Sequence, residues 1–340
     1  MSEKIYKIVF FVIGILTMGY MAYSLGLENL WENIRKTGWW FAPVIGSWVI
    51  IYLFNAFAFR SIIQEPSIPA SNFSFWKVLQ LTISGYAINY ITPFIALGGE
   101  PYRILELKPA LGAEKASSSV LLYSLMHMFS HVLFWLASIV LIFAVVPLNH
   151  YMEVGCAVML VIGTFLCFWF IRVYNRGFTV STVRLLTKIP FVKNKASTFL
   201  TEKQDLLSGI DEQIKWLYNG RRSRFFTALF WEFLARTLGS AEIYFSALAI
   251  GMDISVSQAL IVSSGSSLFA NVIFFFPMQL GTREGGLALA LKSIGLPSSG
   301  GIIIGIIMRI RELVWIGIGL ALMAIWPKLP QSADQKEQKI

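Results

Sequence analysis

Ionisable side chains inside long apolar stretches are the first residues to explain, because each costs at least ~2.5 kcal/mol in a hydrocarbon setting unless it has a partner or a task. Glu232 and Arg236 lie four apart in one such stretch, the spacing and order of a self-neutralising pair on one helix face. Glu242 follows ten residues after Glu232 with no basic neighbour except Arg236, so it is a candidate proton or ion site, or a partner for another helix. Arg309 and Glu312 can pair at a spacing of three, which leaves Arg311 to meet Glu284, Glu100 or a phosphate. His127 and His131 put two imidazoles on one helix face. That spacing can chelate a metal, but the chain has three histidines in all. A hydrogen-bonded polar patch or a proton relay is therefore expected there, and no metal and no cofactor. There is no HExxH motif and no Gly-Lys-Ser/Thr phosphate loop, so no enzyme activity is expected and ATP is not hydrolysed by that route. The run Ser263–Ser267 reads as small residues that let helices approach closely.

A second group of charges sits beside prolines and glycines. The stretch NYITPFIALGGEPYRILELKPALGAEKASSS begins at Asn89, and NVIFFFPMQLGTREGGLALALKSIGLPSSGG begins at Asn271. In each, a proline (Pro93, Pro277) precedes a glutamate (Glu100, Glu284) by seven residues, with glycine between (Gly98 and Gly99; Gly281) and an arginine nearby (Arg103, Arg283). Each then runs through Leu-Lys to a glycine, Gly112 or Gly295, and a Ser-rich helix start. Proline removes a helix donor and glycine permits a sharp turn. Irregular backbone at membrane depth is tolerated where it is buried or lines a wet cavity. Helix starts just beyond such breaks offer free N–H groups to an anion. Asn89 and Asn271, with Asn55 and Gln279, could line the same cavity or simply join helices.

At these residues the chain resembles the flippase-like membrane domain of lysylphosphatidylglycerol synthases. The likeness is carried by Pro93 with GGEPYR (Gly98–Arg103) and by Pro277 with LGTREGGLALAL (Leu280–Leu291). Gly281 and Glu284 match the family's Pro-Gly-Gly-x-Gly-x-x-Glu element, while Pro277-Met278-Gln279 departs from its start. The resemblance implies a polytopic inner-membrane protein that handles lipid-linked molecules. The stretch after Trp326 is a short polar tail, so lysine transfer to phosphatidylglycerol is not expected from it. Where family members tend to carry an acidic–basic pair, this chain has Met126-His127-Met128-Phe129-Ser130-His131, which argues against assuming an identical substrate.

The elements that must position these groups are membrane helices. Of 340 residues, 56% are hydrophobic and 14% charged, with a mean hydropathy of +0.65; soluble domains carry roughly 25% charged residues. A soluble enzyme, a disordered chain and a fibrous protein are excluded. Cys156 and Cys167 form no metal or disulfide pattern, and the N-terminus does not read as a cleaved signal peptide. Six stretches are clean candidates for spans: Tyr6–Leu25, Trp39–Phe59, Ser118–Val146, Glu153–Val173, Phe225–Ile250 and Ile302–Trp326. Trp76–Leu97 and Val256–Leu280 are broken by Pro and Gly. The fold expected is an all-α polytopic membrane protein of eight apolar segments, one membrane domain over 1–327 with a polar tail, 328–340. Segment 172–224 holds eleven Lys/Arg against four acidic residues, a net +7 of the chain's +9. The positive-inside rule places it in the cytoplasm, and its apolar residues from Leu206 onward have helical spacing, suiting an amphipathic helix on the anionic inner leaflet. Nucleic acid is not an expected partner; membrane lipids are. If all eight segments span, both termini lie outside; if the two broken ones re-enter, both lie inside, which Lys4, Lys7, Lys328, Lys336 and Lys339 favour. Units 76–147 and 256–327 then form an inverted repeat, as in many transporters.

The function expected is transbilayer movement of an anionic phospholipid or polyprenyl-linked lipid. Glu100, Arg103, Arg283 and Glu284 would surround a central cavity, arginines drawing the phosphate and glutamates releasing it by protonation or partner exchange. The alternatives are a small-solute or ion transporter, a membrane enzyme on a lipid headgroup, and a scaffold of a cell-envelope pathway. An apolar lateral opening between helices would favour lipid.

Overall fold

The computed structural model describes residues 26–64, 74–92, 98–272 and 281–325, with isolated positions between 12 and 23. Pro93, Pro277, Gln279 and most of Tyr6–Leu25 lie outside the described residues. Every regular element described is helical. In chain order these are α1 (Leu27–Thr37), α2 (Phe41–Ile63), α3 (Phe75–Ile91), α4 (Gly99–Leu111), α5 (Ala113–Val145), α6 (His150–Arg176), α7 (Thr179–Leu186), α8 (Lys193–Glu202), α9 (Gln204–Gly220), α10 (Arg222–Leu238), α11 (Ser240–Ala249), α12 (Val256–Val272), α13 (Thr282–Ser293) and α14 (Ser299–Ile325).

Among the described residues, three helical stretches are long and apolar enough to cross a bilayer: Trp31–Ile63, α5 and α6. On α6, Val154, Val158, Val161, Phe165 and Phe168 are exposed at helical spacing; in an apolar helix, such a face suits lipid. The last helix, α14, has the same 27 residues as α6 but carries Arg309, Arg311 and Glu312 at its middle. The chain is an all-α membrane protein.

The two broken stretches have the same build. Helix α3 has 17 residues and α4 has 13; α12 has 17 and α13 has 12. At 1.5 Å per residue α4 and α13 are about 18–20 Å long, too short to cross a ~30 Å hydrocarbon core. Helix α4 runs back along α3: Gly99 meets Asn89, Arg103 meets Thr82, Tyr102 meets Gln80 and Glu106 meets Lys77. Helix α13 likewise runs back along α12, with Ala290 at Gly265 and Gly286 at Ser266 and Phe269. Each hairpin then turns through a glycine at φ +79, Gly112 or Gly295, a conformation costly for other residues. The long helix beyond, α5 or α14, packs on its own hairpin, and the units also exchange partners: α3 packs on α14, and α12 on α5. Along the α3–α14 contact Tyr90 meets Arg311 and Ser84 meets the Gly319 carbonyl, so these two helices run in opposite directions.

Two expectations need correction. Phe225–Ile250 is not one uninterrupted helix: α10 ends at Leu238 and α11 starts at Ser240, with the amide of Gly239 bonded back to Ala235 and Arg236. The apolar face of α9 does not lie open for a leaflet either. Leu207, Ile210, Ile214 and Leu217 are buried, the last three in the main core, where α9 packs on α5 and α6. The outward apolar side chains of the basic segment cluster instead at Leu185, Leu186, Ile189, Phe191 (97% exposed) and Val192, with Phe199 and Trp216 beyond them. Asp211, on α9, accepts the backbone N–H groups of Phe178, Thr179 and Val180 at 2.8–3.1 Å and so caps α7.

Candidate functional site

The tip of the first hairpin is closed by Asn89. Its Oδ1 accepts the Gly99 amide at 2.7 Å, and its Nδ2 lies 3.4 Å from Glu100 Oε1. A Cβ on residue 99 would overlap the Gly85 carbonyl, so glycine is required for close approach. Gly98 has ordinary helical angles (φ −71, ψ −27), so the sharp turn expected of it is not made there. Glu100 Oε1 also lies 3.5 Å from Arg103 and from Ser124 on α5, while Glu100 Oε2 is buried without a hydrogen-bond partner among the described residues. Arg103 is only 1% exposed. Its guanidinium lies against the rings of Tyr86 and Tyr123 (5.2 Å each) and Phe59 (6.0 Å), over Gly85, where a Cβ would collide with it. It is therefore walled in, and the role of an arginine offered to a phosphate does not match this placement.

The second hairpin builds a larger cluster. Glu284 accepts the Gly281 amide at 2.9 Å, holding the start of its own helix, and receives Arg309 Nε at 3.2 Å. Arg309 also reaches Glu312 at 3.1 Å, and Arg283 pairs with the same Glu312. Arg311 does not meet Glu284 or Glu100. It binds Glu242 in a fork at 2.7 and 2.9 Å, both residues 1% exposed. Trp48 completes this pair, its indole N–H on Glu242 at 2.9 Å and its ring 3.8 Å from the guanidinium. Three arginines thus face three glutamates. Buried charges of one sign are expensive unless neutralised, so a foreign anion can take an arginine here only if a carboxylate leaves or gains a proton.

Between the two clusters runs the polar stripe of α5. Ser124 faces Glu100; one turn on, His127 joins helices α3, α10 and its own; His131 lies 3.4 Å from Ser267 on α12. Glu232 and Arg236 were expected to pair directly. Instead His127 sits between them, Nδ1 at 2.7 Å from Glu232 Oε2 and Nε2 at 3.0 Å from Arg236. Asn55 adds a contact to Glu232 at 3.4 Å and Tyr86. Among the described residues, no three His, Cys, Asp or Glu side chains gather in a metal-binding group.

Most of the expected site residues thus fall in this polar interior: Glu100 and Arg103 in one cluster, Arg283, Glu284, Arg311 and Glu242 in another, His127 and His131 on the stripe joining them. Asn271 is exposed and bonds back to Ser267 of its own helix, because it sits at the α12 terminus, so it does not mirror Asn89. Pro93 and Pro277 lie outside the described residues; Gly281 has φ +80 and makes a genuine turn. Sequence reasoning missed the buried pair Lys77–Glu106 at 3.5 Å, although both charges flank the first hairpin. It also missed Trp48 and Tyr90, which no local pattern distinguishes from other aromatic core residues. Neither a curated protein nor a solved structure matches the chain. A family model described as the lysylphosphatidylglycerol synthase TM region matches residues 5–320. The chain belongs to that family, as its two Pro/Gly-flanked Arg–Glu hairpins led one to expect.

Proposed function

We propose that this protein moves a lipid with an anionic headgroup between the leaflets of the cytoplasmic membrane, as a carrier and not as an enzyme. The observation that carries the reading is the pair of helix–break–helix units, each starting its second half-helix with an Arg–Glu pair: Glu100 and Arg103 on α4, Arg283 and Glu284 on α13. Their packing supports reading them as inverted and re-entrant. Arg221, in the basic segment, donates to the Gln64 carbonyl at 3.2 Å, so the end of α2, whose Phe57 stacks on Phe75 at the start of α3, lies at the start of α10. The second unit starts from the uncharged-to-acidic link Met252–Ser255, beyond the far end of α11. Paired half-helices of opposite course are a common basis of alternating access. On this reading segment 172–224 is cytoplasmic, and Leu185–Val192 with Lys188 and Lys193 rests on the anionic inner leaflet.

A lateral groove favours lipid over a small solute. Where α10 breaks to α11, a cavity of about 580 Å³ opens between α2 and α12, walled by Ile50, Phe54, Leu238, Ala241, Phe245 and Leu260. The hydroxyls of Thr237 and Ser240 at its edge are both taken up by backbone carbonyls of α10, those of Phe233 and Thr237, so its surface is apolar and suits an acyl chain. The test is leaflet exchange of labelled phosphatidylglycerol in proteoliposomes. Glu100→Gln and Glu284→Gln are each expected to slow exchange at least tenfold while the protein stays folded. Exchange unchanged in both variants would contradict the reading, and a scaffold would show that result.

A further inference from the structure

Arg103, Arg283, Arg309 and Arg311 each lie within 3.5 Å of a carboxylate. Arg236 does not. Its Nη2 donates to the His127 ring, and its Nε, shut off from solvent, has no hydrogen-bond partner among the described residues. A guanidinium can only donate, so His127 Nε2 is the accepting nitrogen. The ring proton is then on Nδ1, donated to the Glu232 carboxylate at 2.7 Å, and His127 is neutral. Facing this junction are Asn55 from α2, Tyr86 from α3, Tyr123 and His131 from α5 and Glu232 from α10, with Arg103 and Glu100 of α4 one α5 turn away and Ser267 of α12 beyond His131. Two arginines and two glutamates make the surroundings neutral. The junction is reachable: 26% of the His127 side chain is exposed, and Arg236 is half-buried. Arg236 comes fourteen residues after Arg222, about 20 Å along its helix and away from the basic segment.

We propose that Arg236 and His127 form the seat for the phosphate group of the transported molecule, which deepens the transport reading and rests on it. As the guanidinium turns away from the imidazole, its covered Nε comes into reach, and one phosphate oxygen accepts from Nε and a second from Nη2. The freed Nε2 then takes a proton from the aqueous side, so His127 becomes a cation that offsets the added negative charge while Nδ1–H stays on Glu232. Phosphate binding and proton uptake are thereby linked, and each strengthens the other.

The experiment measures binding to the detergent-solubilised full chain of phosphatidylglycerol, of diacylglycerol, which lacks the phosphate, and of inorganic phosphate. Phosphatidylglycerol is expected to bind at least tenfold tighter than diacylglycerol, and more tightly at pH 6 than at pH 8. Arg236→Gln should weaken phosphatidylglycerol at least tenfold, Arg236→Lys less, and His127→Gln should keep binding but lose its pH dependence. Inorganic phosphate that binds through Arg236 and competes with the lipid supports the seat and makes the free anion a ligand too. A folded Arg236→Gln protein that binds phosphatidylglycerol like the unmodified chain overturns the seat; should that variant not fold, an unaltered pH dependence in His127→Gln does so. Lipid exchange that persists in Arg236→Gln refutes the seat alone, whereas an unmodified chain that exchanges no lipid refutes the transport reading.

Discussion

At the residue scale the interior is held by charges that neutralise one another, and the Arg311–Glu242 fork is the most enclosed of them. Removing one partner of a buried pair leaves the other unpaired, at a cost of about 3–5 kcal/mol, whereas replacing both with apolar side chains is often close to neutral. Arg311→Met is therefore expected to lower the melting temperature in detergent sharply, and Arg311→Met with Glu242→Met to recover most of the loss. Equal losses in single and double variants would contradict the pairing. The sequence shows that Arg311 and Glu242 each need a partner inside the membrane, but not that they find each other, because 69 residues separate them. The same limit applies to Glu232 and Arg236. Local spacing permits their direct contact, and only the arrival of α5 places His127 between them.

At the element scale the two hairpins depend on backbones in close contact. A Cβ at Gly99 would overlap the Gly85 carbonyl, and one at Gly301 would overlap the backbone of Ala288. Overpacking of this kind costs about 1–3 kcal/mol, so Gly99→Ala and Gly301→Ala are each expected to destabilise, while Gly46→Ala, which meets nothing within 4 Å, is not. Thermal melting of the three variants tests this order. Asp211 offers a second check: its carboxylate caps α7, so Asp211→Ala should increase protease cleavage within 179–192 and leave the membrane helices intact. The hairpins were legible because proline and glycine mark helix breaks directly. The α10–α11 break was not, since Gly239 keeps helical angles (φ −56, ψ −23) inside an unbroken apolar run. Helix α9 was legible as amphipathic, but an apolar face has the same spacing whether lipid or protein covers it; here α5 and α6 do.

At the scale of the whole molecule, composition and charge distribution already pointed to an all-α membrane protein with most of its excess positive charge in one segment. The polar interior is a consequence of assembly: two hairpins, brought together by the exchange of α3 and α12 between the long helices α14 and α5, enclose charges that no single segment could hold. If segment 172–224 is cytoplasmic, a cysteine placed at Ser197, exposed on α8, should react with a membrane-impermeant thiol reagent in inside-out vesicles and not in intact cells. The central claim, that this interior passes an anionic lipid headgroup, is tested most directly by reconstituting the protein in liposomes with labelled phosphatidylglycerol in both leaflets and measuring how fast the inner pool reaches the outer surface. The account predicts exchange well above that of protein-free vesicles, and slower in Glu100→Gln and Glu284→Gln. Exchange no faster than in protein-free vesicles, across several anionic headgroups and with folded protein, would contradict it.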